Sequence, residues 1–145
     1  MDHPEPDFDL EVEELSSQRI ATLVADCAAL LGESDVRRVL ELALAAGRRV
    51  TGARYAAIGI LDQARTGLAR FETSGIDEAT RRDIGDPPHG HGLLGVLIRD
   101  PRPLRLDDIG GHPRSYGFPI GHPPMTSFLG APIRIRGEVW GNCYL

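Results

Sequence analysis

Residues 127–145, SFLGAPIRIRGEVWGNCYL, decide the fold. Two runs of strand-forming residues, Phe128–Ile135 and Glu138–Leu145, flank the pair Arg136-Gly137. Two residues with glycine second suit the tight turn that matches strand twist, so the spacing predicts an antiparallel hairpin. Within it Arg134 and Arg136 alternate with Ile133 and Ile135, so the arginines mark a solvent face and the isoleucines a core face. Tyr144 stands on the face opposite to Cys143 and Leu145 by the same count.

Upstream, 107–124 is a long loop rich in Gly, Pro and His, and Leu104–Leu106 fits a brief strand. Leu93–Ile98 is apolar throughout and is stopped by Asp100-Pro101, which predicts a short buried helix. Ile76–Ile84 reads as a helix with acidic residues in its first turn. Tyr55–Leu61 and Leu68–Thr73 read as strands around a polar turn. Further back the period becomes helical. Ile20, Leu23, Val24, Cys27, Leu30 and Leu31 recur at steps of three and four over Glu14–Leu31, and Gly32 is placed to end that helix in a left-handed conformation. A second helix starts behind Ser34 or Asp35, carries Val36, Val39, Leu40, Ala43, Leu44 and Val50, and stops near Thr51-Gly52. Residues 1–13 are acidic with two prolines and are expected to be a disordered tail, leaving 14–145 as one domain. The order α-α-β-β-α-α-β-loop-β-β predicts an α+β fold, a central antiparallel sheet flanked by helices. Strands and helices do not alternate as βαβ units, which excludes a dinucleotide-binding sheet.

Composition narrows the function. The 145 residues carry a formal net charge of −5, so neither nucleic acid nor an anionic membrane is expected as main partner. All sixteen basic residues are arginine, which excludes chemistry that needs a lysine nucleophile. Two cysteines, Cys27 and Cys143, make no disulfide framework and suit a cytoplasmic setting. No apolar run approaches a membrane span, and the acidic N-terminus is not a secretion signal. No Gly-x-Ser-x-Gly or Cys-His arrangement supports acyl transfer. His89, His91 and His112 lack a metal-binding frame, and Asp77-Glu78 and Asp107-Asp108 fit helix starts or turns better than acid–base work.

The stretches ARYAAIGILD (53–62), SGIDEATRRDIG (74–85), GHGLLGVLIRDPRPLRLDDI (90–109) and HPRSYGFPIGHPPMTSFLGAPIRIRGEVWGNCYL (112–145) resemble GAF domains, those of sensor histidine kinases above all. The nearest likeness is to the first GAF domain of dormancy-regulon haem sensor kinases, and it covers about Val36 to Leu145. That resemblance implies a regulatory, non-enzymatic sensor domain of a two-component protein, binding b-type haem and reading O2, NO, CO or redox state. It implies that His122, just before Pro-Pro-Met, ligates the haem iron, with Met125 and Phe128 beside the cofactor. It implies that Tyr144 lies on the distal side and that Gly59, a small residue in the first strand, leaves gas access open. The output would pass to a kinase region outside these residues. GAF domains usually continue into a long C-terminal helix, so the chain is expected to be a piece of a longer protein or an unusually short product.

Alternatives stand beside these readings. His122 also reads as a solvated loop histidine, Tyr144 as core packing and Cys143 as a small apolar filler. The domain could be a haem-free small-ligand-binding or dimerisation module. Ile20, Val24, Cys27 and Leu31 step by four, three and four, close to a heptad seam. That predicts a homodimer through the N-terminal helix, unless the stripe simply covers the sheet. A sulfoxide reductase would need several pocket cysteines, and only Cys143 is near.

Overall fold

The computed structural model describes residues 17–86 and 88–145, so the predicted acidic tail lies outside the described residues. Four helices, α1 (Ser17–Leu31), α2 (Val36–Thr51), α3 (Glu78–Ile84) and α4 (Gly92–Arg99), accompany five strands. The strands are β1 (Ala56–Leu61), β2 (Leu68–Ser74), β3 (Leu104–Leu106), β4 (Phe128–Ile135) and β5 (Glu138–Tyr144). They form one sheet in the order β2-β1-β5-β4-β3, antiparallel at every pair. The predicted α+β architecture is therefore the observed one.

Local chemistry sets the element ends. Asp35 caps α2 by accepting from the Arg38 amide at 2.9 Å, and Gly52 closes it at φ 73°. Asp77 caps α3 through the Thr80 amide at 2.7 Å. Between β4 and β5, Arg136 and Gly137 both have positive φ, 51° and 86°, as a primed hairpin turn requires. Gly32 departs from expectation: its φ is not positive, and it simply continues the helical pattern by donating to the Ala28 carbonyl. The Glu33 carboxylate takes over at that end, accepting from the Ser34 and Asp35 amides.

The sheet is covered on both faces, whereas the alternation of Arg134 and Arg136 with the isoleucines marks one face of β4 as solvent. On one face α2 lays Leu40 and Leu44 against Ala56 and Ile58, with Ile133, Cys143 and Leu145 around them. On the other, α4 and the following loop bring Leu97, Ile109, Met125 and Leu93 against Phe128 and Tyr144. Burying each of these large side chains contributes roughly 2 kcal/mol. Ile135 faces no core, being 51% exposed. The pairing slips between Ile133 and Arg134, and the end of β4 runs past the cover of α2. Val36, predicted on the buried face of α2, is exposed as well.

Helix α1 also differs from one expectation. It packs on α2 and makes no substantial contact with the sheet. Asp26 accepts from Arg49 Nε at 3.2 Å and Nη2 at 2.5 Å, tying the two helices together. No α1 residue is buried, and Ile20, Val24, Cys27 and Leu31 all point to solvent. The stripe does not cover the sheet.

Candidate functional site

The sheet face beneath α4 gathers most of the residues singled out in the sequence. The register pairs Gly59 with Asn142 and Ala57 with Tyr144 across β1 and β5, and Pro132 with Asn142 and Gly130 with Tyr144 across β5 and β4. Directly paired residues share a face, so Gly59, Asn142, Tyr144, Phe128, Gly130 and Pro132 form one floor. Phe71 and Phe128 hold the Tyr144 ring from two sides, with ring centres 6.2 and 6.0 Å away. Glycine at 130 is required by close approach: a Cβ there would lie 2.8 Å from Leu97 Cδ2. β3 begins at Leu104 opposite Gly130, so Pro132 sits where β4 is an edge and its missing N–H costs no ladder bond.

Sequence reasoning missed Asn142, and it is the most unusual residue on this floor. It is 0% exposed, and neither Oδ1 nor Nδ2 has a hydrogen-bond partner in the structure. The Tyr144 hydroxyl, on a residue 4% exposed, is also unpartnered. Buried polar atoms are almost always satisfied, because each orphan forfeits about 1–3 kcal/mol of lost hydration. Burial pushes the Tyr144 phenol up to about 12, opposed in part by the nearby Asn142 amide, so it stays a neutral hydroxyl through the ordinary pH range. The only sequence signal for Asn142 is a carboxamide inside a strand-forming run, between Gly141 and Cys143.

Met125, Phe128, Tyr144 and Gly59 are thus brought together. The space over Gly59 is not open, contrary to the access expected there. A Cβ at that position would meet Leu68 Cδ2 at 2.8 Å and Tyr144 Cε2 at 3.3 Å. Leu68 also approaches Gly90, where the tip of Ile98 would lie 2.6 Å from a Cβ. Leu68, Ile98 and the Gly90 loop therefore form an apolar cover on this side.

His122 stands outside the aromatic cluster, at the end of the same segment. Its ring stacks on Phe118 with centres 4.6 Å apart and planes 11° from parallel. Its Nδ1 lies 2.8 Å from the Pro123 carbonyl oxygen. A carbonyl only accepts, so Nδ1 is the donor in this contact. Gly121, at φ 83°, turns the loop against α3, where a Cβ would come 3.1 Å from the Asp83 carbonyl oxygen.

The remaining candidates are structural. Asp108 accepts from the Gly110 amide at 2.9 Å, an Asx turn. His112 Nδ1 accepts from the Arg114 amide. Among the described residues no three His, Cys, Asp or Glu side chains are grouped to hold a metal ion. Cys143 packs on the α2 face, away from the floor, and burial raises its thiol pKa. Cys27 is exposed on α1. No helix among the described residues is long and apolar enough to cross a membrane.

Comparison with known proteins agrees with this geometry. The fold matches the GAF domain of a phosphoenolpyruvate-protein phosphotransferase from Coxiella burnetii with a TM-score of 0.73 at 21% identity, over 87% of this chain and 75% of that one. The corresponding domain from Acinetobacter gives 0.72 at 19%, over 90% and 77%. A free methionine-R-sulfoxide reductase from Neisseria meningitidis, solved with its substrate, gives 0.67 at 16%, over 87% and 71%. At these identities the likeness is one of fold. The sequence itself matches the family model for the GAF domain over residues 33–143, and the chain belongs to that family.

Proposed function

We propose that the chain is the sensory domain of a signalling protein, holding a small molecule against the floor formed by Asn142 and Tyr144. The observation that carries this reading is the set of three buried, unpartnered polar atoms on an otherwise apolar face. Such atoms are retained at a stability cost when something else completes their hydrogen bonds. Cys143 packs on the opposite face and Cys27 is exposed on α1, so a reductase built on several pocket thiols has no support. Output would pass to an effector, such as a kinase region, outside these residues. Two free thiols favour a reducing, cytoplasmic setting.

A second reading, b-type haem, is favoured by His122. Metal-ligating histidines commonly donate their other ring N–H to a carbonyl, and Nδ1 against Pro123 O is that arrangement. The donor chemistry fits, so His122 Nε2 would take the iron, with Met125 and Phe128 as apolar wall and Tyr144 as polar partner. When bound, haem supplies an iron site that accepts O2, NO or CO or changes redox state. Titration with haem tests this. The expected result is a one-to-one Soret band that shifts with reduction and carbon monoxide and is lost in His122→Ala. A free-haem spectrum in both proteins removes the haem reading.

The solvent-facing stripe on α1 supports a homodimer. An uncharged heptad-like seam is self-complementary when two copies align. Val24, 63% exposed at its centre, is the residue to change. Val24→Asp is expected to turn a dimer into a monomer in sedimentation while the melting temperature of the fold moves little. A wild-type monomer at high micromolar concentration rejects the dimer.

A further inference from the structure

We infer a second, separate binding site: a small cleft beside the free edge of β2 that takes a short dicarboxylate, held by Arg37 and Arg81. It lies on the α2 side of the sheet, so it neither rests on the reading of the Asn142 face nor falls with it.

The cleft measures about 190 Å³ and forms where three elements meet. Leu40 and Leu44 of α2, 4% and 2% exposed, make its base. Thr73 and Ser74 line it from the end of β2, and Arg81 from α3. β2 is an outer strand, so one side of it has no neighbouring strand to pair with. Arg81 fills part of that side, with Nη2 donating to Thr73 Oγ1 at 2.8 Å and to the Thr73 carbonyl at 3.4 Å. Ser74 Oγ accepts from Arg48 Nη1 at 3.1 Å.

Charge singles this cleft out. Its two carboxylates are matched by arginines that do not line it: Glu41 by Arg38 at 3.1 Å and Glu72 by Arg70 at 2.7 Å. Its own arginines have no such partner. Arg81 spends Nη2 on Thr73 and keeps its remaining N–H groups. Arg37 makes no hydrogen bond or ion pair in the structure. Glu41 stands four residues on from Arg37, the spacing of a helix ion pair, yet turns to Arg38. In a chain of net charge −5, two guanidiniums at one recess without a carboxylate of their own mark a place for an anion.

Shape narrows the class. Arginines on two different helices suit two separate carboxylates, and the leucine base suits the short carbon chain between them. The cleft is smaller than the ~300–1,000 Å³ of drug-sized pockets, which limits that chain to a few carbons.

The experiment is a titration of the whole chain with succinate at fixed ionic strength, followed by NMR, with propionate and inorganic phosphate as comparison probes. Succinate is expected to shift the Thr73 and Ser74 amides and the Leu40 and Leu44 methyls, and to leave Asn142 and Tyr144 unmoved. Arg37→Ala should weaken binding about tenfold without changing the fold, since Arg37 is exposed and unpaired. Glu41→Gln removes a negative charge from the rim and should tighten binding about threefold. If propionate or phosphate binds as tightly as succinate, the dicarboxylate class is overturned. If millimolar succinate shifts none of these signals, or shifts them alike in the wild type and Arg37→Ala, the site itself is rejected.

Discussion

Gly141→Ala is expected to lose about 3 kcal/mol or more of folding stability. A Cβ at 141 would lie 2.5 Å from the carbonyl oxygen of Gly59 on the neighbouring strand. That obstacle is backbone, not the tip of a flexible side chain, so relief requires β5 to move away from β1. These strands carry the ladder between the two halves of the sheet. Their separation loosens the α2 core at Ile58 and Cys143 and the opposite floor at Tyr144 together. Gly137→Ala is the control. It stands at φ 86° with nothing within 4 Å of a Cβ, so it bears only the left-handed backbone cost of about 1–2 kcal/mol. Urea unfolding of the two variants measures the gap. Equal midpoints would mean that β1 and β5 do not approach as closely as described.

The fold was legible because its punctuation is local. Arg136-Gly137, Asp35, Asp77 and Asp100-Pro101 act through their own backbones, and each ends or begins an element where the sequence places it. Periodicity located both cores, yet it left open which partner each apolar face meets. The α1 stripe reads the same whether it covers a sheet or faces solvent, and only the packing of α1 on α2 decides. Ile135 failed for a related reason: alternation assumes an unbroken register, and the slip after Ile133 breaks it. At the candidate site, resemblance to the family led to Tyr144, Met125 and Phe128, which do converge. Asn142 was invisible because a lone asparagine in a strand carries no pattern. Its significance lies in burial and missing partners, which are properties of the folded state. Gly59 was read as an opening because one residue's size says nothing of its neighbour, and Leu68 fills the gap.

Asn142→Val should make the ligand-free domain more stable, by about 1–2 kcal/mol, or a rise of about 3–6 °C in melting temperature for a chain of this length. The direction runs against the usual outcome of altering a fully buried residue. In the ligand-free protein the Asn142 amide has given up its water and gained no described partner for either polar atom. Valine removes both orphans, suits a strand, and is close enough in size to fit between Gly59 and Pro132. Tyr144→Phe should move the same way by a smaller amount, since it removes one orphan and leaves the ring contacts with Phe71 and Phe128 in place. The two effects should fall short of additive, because the side chains lie near enough to influence each other. Calorimetry of the two single variants and the double variant decides the matter. A clear loss of stability in Asn142→Val would show that the amide is already satisfied in the free domain, by water or otherwise. The face would then be ordinary core. A gain would show stability given up at this position, which is how a sensor's floor differs from the floor of a sheet that only has to pack.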